Sequence, residues 1–183
     1  NLKDDIRRNL KNVIGNRDIY KKNNLTIKRG LIFSGPPGCG KSTLGKILCT
    51  TIDWTFVWVT PKHLIYPKHI SNIVEMCKEL APTVLFLEDI DLFGGARETN
   101  GNPALLGEFM NQLDGIQENK DIITLATTNK AEVLEKALLD RPGRFDKVLE
   151  FKAPDNKSRL KMLKHFSKDL NLDKGIDLEA VAK

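Results

Sequence analysis

Residues 31–52 contain the feature that most constrains the fold, because an apolar run, a glycine-rich loop and a helical pattern follow one another directly. The apolar run at 31–34 predicts a buried strand, and the spacing of the apolar residues in 41–52 predicts a helix. Between them, residues 35–42 (GPPGCGKS) match the pattern G-x-x-x-x-G-K-[ST]. Glycines in such a loop let backbone N–H groups surround a phosphate at the start of a helix. The segment therefore predicts a phosphate-binding loop.

Two side chains of this loop have specific expected roles. Lys41 is expected to reach the β- and γ-phosphates of a nucleotide, and the Ser42 hydroxyl is expected to ligate Mg²⁺. A Gly-Pro turn with a surface lysine is the competing interpretation, but the strand before the loop and the helix after it favour nucleotide binding. The predicted ligands are ATP and Mg²⁺. The predicted nucleotide-binding residues are Gly35, Pro36, Pro37, Gly38, Cys39, Gly40, Lys41, Ser42 and Thr43.

Polar residues that follow two further predicted strands complete a candidate site. Glu88 and Asp89 end the third strand, where a carboxylate can reach Mg²⁺ if the strand is central and parallel. Asn129 follows the fourth strand and can orient an attacking water, or it can cap the helix predicted at 131–139. Both roles for Asn129 stay open, whereas Asp91 is interpreted as structural.

The order of elements predicts an α/β fold. The predicted strands are 31–34, 55–59, 84–87, 122–126 and 148–151, and helical patterns begin at 2, 41, 67, 103 and 131. Strands that alternate with helices favour a parallel sheet with helices on both faces. We assign residues 1–153 to one α/β domain and residues 154–183 to the start of a helical domain, with Asp155 as a helix cap. We expect both ends to be truncated.

Composition and charge exclude several classes of protein. The formal net charge is +5, but acids lie between the basic residues, so nucleic-acid binding is not expected. No apolar run approaches the roughly 18 residues of a membrane span, and the first residues (NLKDDIRRNL) do not have the pattern of a secretory signal, which predicts an intracellular, cytoplasmic protein. Three cysteines without a C-x-x-C pair predict free thiols and no zinc site.

Four motifs, in order, make the chain resemble the AAA subfamily of AAA+ ATPases. GPPGCGKST (35–43) resembles the Walker A motif, VLFLEDID (84–91) the Walker B motif, LATTN (125–129) sensor 1 and RPGRFD (141–146) the arginine-finger segment. The subfamily includes proteasomal ATPases, membrane-bound AAA proteases and mitochondrial respiratory-complex assembly proteins. The resemblance implies a five-stranded P-loop sheet of order 5-1-4-3-2, a helical lid, ATP hydrolysis and a homo-oligomeric ring, usually a hexamer.

The resemblance also assigns Arg141 and Arg144 as catalytic fingers that reach the γ-phosphate bound by a neighbouring subunit. On composition alone they are surface arginines that can pair with Asp140 and Asp146. With Glu88, Asp89 and Asn129 they complete the set of expected catalytic residues, and Glu88 and Ser42 are the expected metal ligands.

Three departures from the family pattern bear on function. The Walker B acids run Glu88 then Asp89 instead of Asp then Glu, and Asp140 resembles an insertion. The segment 61–69 aligns with a pore loop but is short and lacks the usual aromatic-hydrophobic-glycine triplet. Tyr66 is the only aromatic residue in it, and a packed tyrosine is favoured over a pore residue. Because Asp89 is one methylene shorter than Glu, we expect slow hydrolysis.

The preferred interpretation is a Mg²⁺-dependent ATPase that remodels a macromolecule, and a protein is favoured as that substrate. A regulatory module that binds ATP and hydrolyses it slowly or not at all is the alternative from a different class. A DNA-handling AAA+ protein is a third, and it would require a focused basic patch that the sequence does not show.

If Arg141 and Arg144 act in trans, an Arg144→Ala protein and a Lys41→Ala protein should each be inactive alone and recover turnover when mixed. Each interface would then combine an intact nucleotide site from one subunit with an intact finger from another. The measurement is ATP turnover across mixing ratios, with hetero-assembly verified by cross-linking. Cross-linked mixtures without turnover would contradict the trans assignment.

Overall fold

The computed structural model describes residues 2–25, 27–92, 107–109, 111–112, 121–130, 145–171, 173 and 175–183. The chain divides into two compact units, Asn1–Phe151 and Lys152–Lys183. The domain boundary predicted after residue 153 stays a prediction.

The first unit is built on a five-stranded sheet in which every neighbouring pair of strands is parallel. The strands are β1 (Lys28–Ser34), β2 (Thr55–Val59), β3 (Thr83–Leu87), β4 (Ile122–Thr128) and β5 (Lys147–Glu150). Their order across the sheet is β2-β3-β4-β1-β5, which confirms the predicted order. β1 and β4 are longer than hydropathy predicted, because Lys28 pairs with Ile122 and Ser34 with Thr128. Backbone pairing therefore extends past the apolar run.

The described helices follow the predicted pattern with two local differences, one of which is a short helix, Arg17–Lys22, where no helix was predicted. They are α1 (Leu2–Ile6), α2 (Asn12–Gly15), α3 (Arg17–Lys22), α4 (Lys41–Thr51), α5 (Pro67–Glu79), α6 (Asn156–Phe166) and α7 (Leu178–Val181). A π-helical turn, Arg7–Lys11, joins α1 to α2, so the first predicted helix is not a regular α-helix throughout. Short 3₁₀ turns span Pro61–His63 and Ile90–Leu92. Of the helix predicted from residue 103, residues 107–109 and 111–112 are helical, and the helix predicted at 131–139 lies outside the described residues.

The central strands β3 and β4 are buried on both faces, as the apolar third strand predicted, while the edge strands β2 and β5 are partly exposed. Val84 and Phe86 of β3 belong to one core cluster, together with Leu48 of α4 and Leu10 of the N-terminal helical segment. Leu85 and Leu87 belong to the other cluster, with residues of α5 such as Val74. Successive side chains of a strand point to opposite faces, so one apolar strand serves both layers.

The second unit contains α6 and α7. Asp155 caps α6 as predicted, since its carboxylate accepts the Ser158 backbone N–H at 2.8 Å. Arg159 connects the two helices: its Nε donates to the Ala182 carbonyl at 2.7 Å and its Nη1 to the Pro154 carbonyl at 2.9 Å. A guanidinium has five donors in a fixed plane, which suits it to link several carbonyls.

Gly45, in the middle of α4, allows this helix to approach the aromatic side chains of the sheet. A Cβ atom at this position would lie 2.6 Å from the Phe86 ring and 3.0 Å from the Trp58 ring. Phe86 is fully buried. Its ring therefore has little freedom to move away, and a glycine is required although glycine weakens a helix interior.

Gly45→Ala should lower the free energy of unfolding by about 1–3 kcal/mol, because overpacking in the core outweighs the gain in helix propensity. Gly15→Ala is the matched control, since a Cβ on Gly15 of α2 would have no neighbour within 4 Å. The control should be neutral or more stable by up to about 1 kcal/mol. Urea denaturation of both variants tests the difference, and an equally stable Gly45→Ala protein would contradict this account.

Candidate functional site

The glycine-rich loop leaves β1 against the end of β5. The Gly35 N–H donates to the Thr128 carbonyl at 3.2 Å, and a Cβ on Gly35 would lie 2.1 Å from the Phe151 carbonyl oxygen. No side chain fits in that gap, so the first glycine of the motif is required by the close approach of two backbones.

The other two glycines of the motif serve the loop conformation. Gly38 and Gly40 have φ of +78° and +92°, and a Cβ at either position would have no neighbour within 4 Å. Gly40 caps the N-terminus of α4, and the first N–H groups of a helix have no partner within the helix. A phosphate group could occupy this open space, where it would accept hydrogen bonds from the N–H groups that have no partner within the helix and would lie at the helix N-terminus.

Lys41 lies at the mouth of this loop and is only 6% exposed. Its ammonium donates to the carbonyl oxygens of Gly35 at 2.6 Å and Pro36 at 2.8 Å, and to Asn129 Oδ1 at 2.9 Å. Three acceptors match the three donors of an ammonium group, so the charge is held in place next to the glycine-rich loop of residues 35–42, which we call the phosphate cradle.

Ser42 and Glu88 form the part of the site that fits a magnesium ion. The Ser42 hydroxyl donates to Glu88 Oε1. Mg²⁺ prefers oxygen ligands, often one or two carboxylates together with phosphate oxygens and water. A hydroxyl and a carboxylate oxygen in contact beside the phosphate cradle are a donor set of this kind.

Asp89 lies next to Glu88 with a left-handed backbone, φ +50°. The Thr127 hydroxyl accepts its backbone N–H at 2.9 Å, and Asn129 Nδ2 donates to its carboxylate at 3.3 Å. Burial raises the pKa of Asp89 above its ordinary value, and the charges of Asp91 and Glu88 raise it further against the opposing effects of Lys41 and Asn129. A raised pKa makes the ionised carboxylate a better proton acceptor.

Asn129 links the parts of the site. Its Oδ1 accepts from Lys41 and its Nδ2 donates to Asp89, so one amide contacts both the loop lysine and the acid pair. Its backbone N–H donates to Asp91 Oδ1 at 3.2 Å, a structural contact of the type predicted for Asp91. The alternative role as a cap concerns a helix outside the described residues.

The structure thus brings together five of the predicted side chains at the carboxyl edge of the sheet: Lys41, Ser42, Glu88, Asp89 and Asn129. Arg141 and Arg144 lie outside the described residues, so their finger role stays a prediction.

Sequence reasoning missed two residues that hold the site. Thr127 accepts the N–H of Asp89, and the Trp58 indole Nε1 donates to Glu88 Oε2 at 3.2 Å. For Thr127, the sequence signal that could have been used is a hydroxyl side chain on the strand that neighbours the strand before Glu88 and Asp89. Nothing in the alternation of β2 indicates the second, because Trp58 has the pattern of a core residue.

The interpretation of Tyr66 as a packed tyrosine is wrong, because its side chain is 64% exposed. Leu64 and Ile70 occupy the neighbouring core positions, at 5% and 3% exposure, and Tyr66 lies outside them before α5. Its ring meets His69 edge to face, with the centroids 5.5 Å apart.

Comparison with known proteins agrees with this geometry. The model of the ATPase family associated with various cellular activities (AAA) matches residues 31–153. This chain belongs to the AAA family. The AAA chain is therefore an ATP-binding P-loop ATPase domain, as its four motifs predicted, and the reversed order of Glu88 and Asp89 lies within the matched residues.

Relatives of the AAA chain include two proteasome-activating nucleotidases and a proteasome subunit. The nucleotidase of Thermococcus onnurineus is 34% identical over 178 residues, covering 91% of this chain and 44% of the relative. The 26S proteasome regulatory subunit 8 homolog B of Arabidopsis thaliana is 32% identical, with 91% and 42% covered. The nucleotidase of Methanocaldococcus jannaschii is 32% identical, with 91% and 41% covered. The chain thus spans less than half the length of these relatives.

Within its described residues, no helix combines the length and apolarity that crossing a membrane requires.

Replacing Asp89 by Asn should stabilise the nucleotide-free protein at pH 7. A carboxyl whose pKa is higher in the folded state contributes stability below its unfolded pKa and loses that contribution as the pH rises through the folded pKa. Asparagine keeps an acceptor for Asn129 and tolerates a positive φ. Thermal unfolding in EDTA should therefore show a higher Tm for Asp89→Asn at pH 7 and a smaller difference near pH 4.

Asp53→Asn, at an exposed position between α4 and β2, is the control for that experiment and should leave the Tm unchanged. A Tm for Asp89→Asn at pH 7 equal to or below that of the unaltered protein would show that the Asp89 charge is not destabilising.

Proposed function

We propose that this chain is the ATPase core of a ring-forming AAA+ protein, and that it uses Mg²⁺-dependent ATP hydrolysis to remodel a protein substrate. One observation carries the proposal. The Asn129 amide contacts both Lys41 at the phosphate cradle and Asp89 in the acid pair, while Ser42 and Glu88 meet beside them. Phosphate binding, cation binding and proton acceptance therefore have candidate groups in one connected cluster.

Phosphate binding belongs to the loop and to the start of α4. The Lys41 ammonium donates to two loop carbonyls and to Asn129. A phosphate oxygen carries more negative charge than a carbonyl or amide oxygen, so it would replace one or more of these acceptors. If the replaced acceptor is Asn129, phosphate binding would also release the Asn129 Oδ1 atom from Lys41.

Ser42 and Glu88 are the residues that would bind the cation. When bound, Mg²⁺ would neutralise charge on the β- and γ-phosphates and so lower the cost of phosphoryl transfer. Glu88 supplies the negative charge near the cation and Ser42 supplies a neutral oxygen.

Proton acceptance belongs to Asp89. Its raised pKa and its hydrogen bond from Asn129 suit a group that orients a water molecule and draws off its proton. The left-handed backbone at Asp89 is one that aspartate adopts more readily than glutamate. The shorter side chain reaches less far, and slow hydrolysis is part of the proposal.

Ring assembly and substrate rest on the relatives and on one exposed segment. The relatives are by name proteasome-activating or proteasome-regulatory proteins, which supports a protein substrate. Ile65 and Tyr66 are 61% and 64% exposed beyond β2, and an exposed apolar pair of this kind can contact a polypeptide. A homo-hexamer, the fingers Arg141 and Arg144 and an intracellular, cytoplasmic location belong to the same proposal.

The two acids should give different losses. Asp89→Asn should leave binding of ATP with Mg²⁺ intact and reduce single-turnover hydrolysis by about 100-fold or more, because an amide is a poor proton acceptor. Glu88→Gln should instead weaken the dependence of ATP affinity on Mg²⁺, because a negative charge is removed beside the cation. Calorimetric titration with and without Mg²⁺, and single-turnover hydrolysis, measure the two effects in assembled protein.

Asp91→Asn is the matched control, because it removes a charge from the same cluster while keeping an acceptor for the Asn129 N–H. It should preserve the Mg²⁺ dependence. If Glu88→Gln alone traps bound ATP while Asp89→Asn alone loses the Mg²⁺ effect, the roles are exchanged. If the unaltered assembled protein binds ATP without turnover, the regulatory alternative replaces the catalytic one.

A further inference from the structure

We propose that Trp58 is a positioning residue for the magnesium-side carboxylate. Its indole N–H holds one oxygen of Glu88, so that the other oxygen faces Ser42 and the cation site. This inference rests on the proposed role of Glu88 and assigns a function to a tryptophan that the nucleotide-binding motifs do not include.

The two oxygens of Glu88 have different partners. Trp58 Nε1 donates to Oε2 at 3.2 Å, and the Ser42 hydroxyl donates to Oε1. The terminal torsion of a glutamate side chain is broad and turns easily. A donor on each oxygen restricts that torsion, and the indole donor remains available when Ser42 turns its lone pairs toward a cation.

The indole is itself held by aromatic contacts on the sheet. Trp58 pairs with Phe86 in the parallel register of β2 and β3, and the two ring centroids are 4.3 Å apart. The Phe56 ring lies 6.1 Å from the Trp58 ring on the same face. Gly45 leaves the space that this stack needs beneath α4, because a Cβ there would meet both Phe86 and Trp58. Aromatic packing therefore restricts the direction in which the indole N–H can point.

An indole suits this position chemically. It is a donor only, so it cannot ligate the cation or compete with Glu88 for it. It is also neutral, and it therefore orients the carboxylate without repelling Mg²⁺ as a lysine would. Residues that hydrogen-bond to a metal ligand commonly change metal affinity by about 10- to 100-fold when replaced.

Trp58→Phe removes the N–H and keeps an aromatic ring against Phe86. In assembled protein, this variant should require about tenfold more Mg²⁺ for half-maximal enhancement of ATP affinity. Its ATP affinity in EDTA should be unchanged, since the phosphate cradle is untouched. Calorimetry at a series of Mg²⁺ concentrations measures both quantities without relying on turnover. Trp54→Phe is the matched control, because its ring lies under the Arg17 guanidinium, 5.8 Å away, and among the described residues the side-chain hydrogen bonds of Glu88 come from Trp58 and Ser42, not from Trp54.

A double-mutant cycle with Glu88→Gln separates positioning from packing. If Trp58 acts through the Glu88 charge, adding Trp58→Phe to Glu88→Gln should cause little further loss of Mg²⁺ dependence. Tryptophan fluorescence gives a second measurement: Mg²⁺ added with ATP should change the emission of unaltered and Trp54→Phe protein, and should change that of Trp58→Phe protein much less.

Three results would overturn the proposal. The first is an unchanged Mg²⁺ requirement in folded Trp58→Phe, as verified by its Tm, when Glu88→Gln does weaken the Mg²⁺ dependence. The second is an equal loss of ATP affinity in EDTA and in Mg²⁺, which would indicate general damage to the site. The third is full additivity in the cycle. If Glu88→Gln itself has no effect on Mg²⁺ dependence, the proposed role of Glu88 fails first, and the two failures are distinguishable.

Discussion

The parallel alignment of β1, β4 and β3 is the constraint on which the whole site depends. β4 lies between the other two strands, so the residue that follows it can reach the loop after β1 and the acids after β3. Asn129 does both, through Lys41 on one side and Asp89 on the other. Antiparallel strands would have placed these groups at opposite edges of the sheet. The arrangement of this candidate site thus depends first on strand direction and only then on side-chain chemistry.

Several features of the site work against stability. Lys41 is a nearly buried charge, Asp89 lies beside two other carboxylates, and the Asp89 backbone is left-handed. Three oxygens accept hydrogen bonds from the Lys41 ammonium, and the Thr127 hydroxyl accepts the Asp89 N–H. Buried charges, neighbouring carboxylates and an unfavourable backbone conformation are common in catalytic sites, where they can serve the binding of charged ligands.

The contacts of Glu88 and Asp89 in the fold suit the reversed order of the two acids. Glu88 has the longer side chain, and it reaches both Ser42 on α4 and Trp58 on β2. Asp89 has the shorter one, and its left-handed backbone and its contact with Asn129 suit an aspartate. The lengths of the two side chains therefore match their surroundings in the order in which this chain has them. Family membership indicates the class of reaction, and the contacts of Glu88 and Asp89 are features of this particular chain.

Local sequence pattern determined much of this protein. β2 has the predicted bounds, α4 begins at Lys41 directly after the glycine-rich loop, and Asp155 caps α6, because each depends on neighbours within a few residues. The positions of Glu88, Asp89 and Asn129 after predicted strands indicated these three candidate catalytic residues, while resemblance to a known family supplied the strand order and the finger role of Arg141 and Arg144. Pattern alone did not indicate the exposure of Tyr66, the need for Gly45 or the contact between Trp58 and Glu88. The last two features join segments that are far apart in the chain, and only the packing of α4 and β2 against β3 decides which atoms meet.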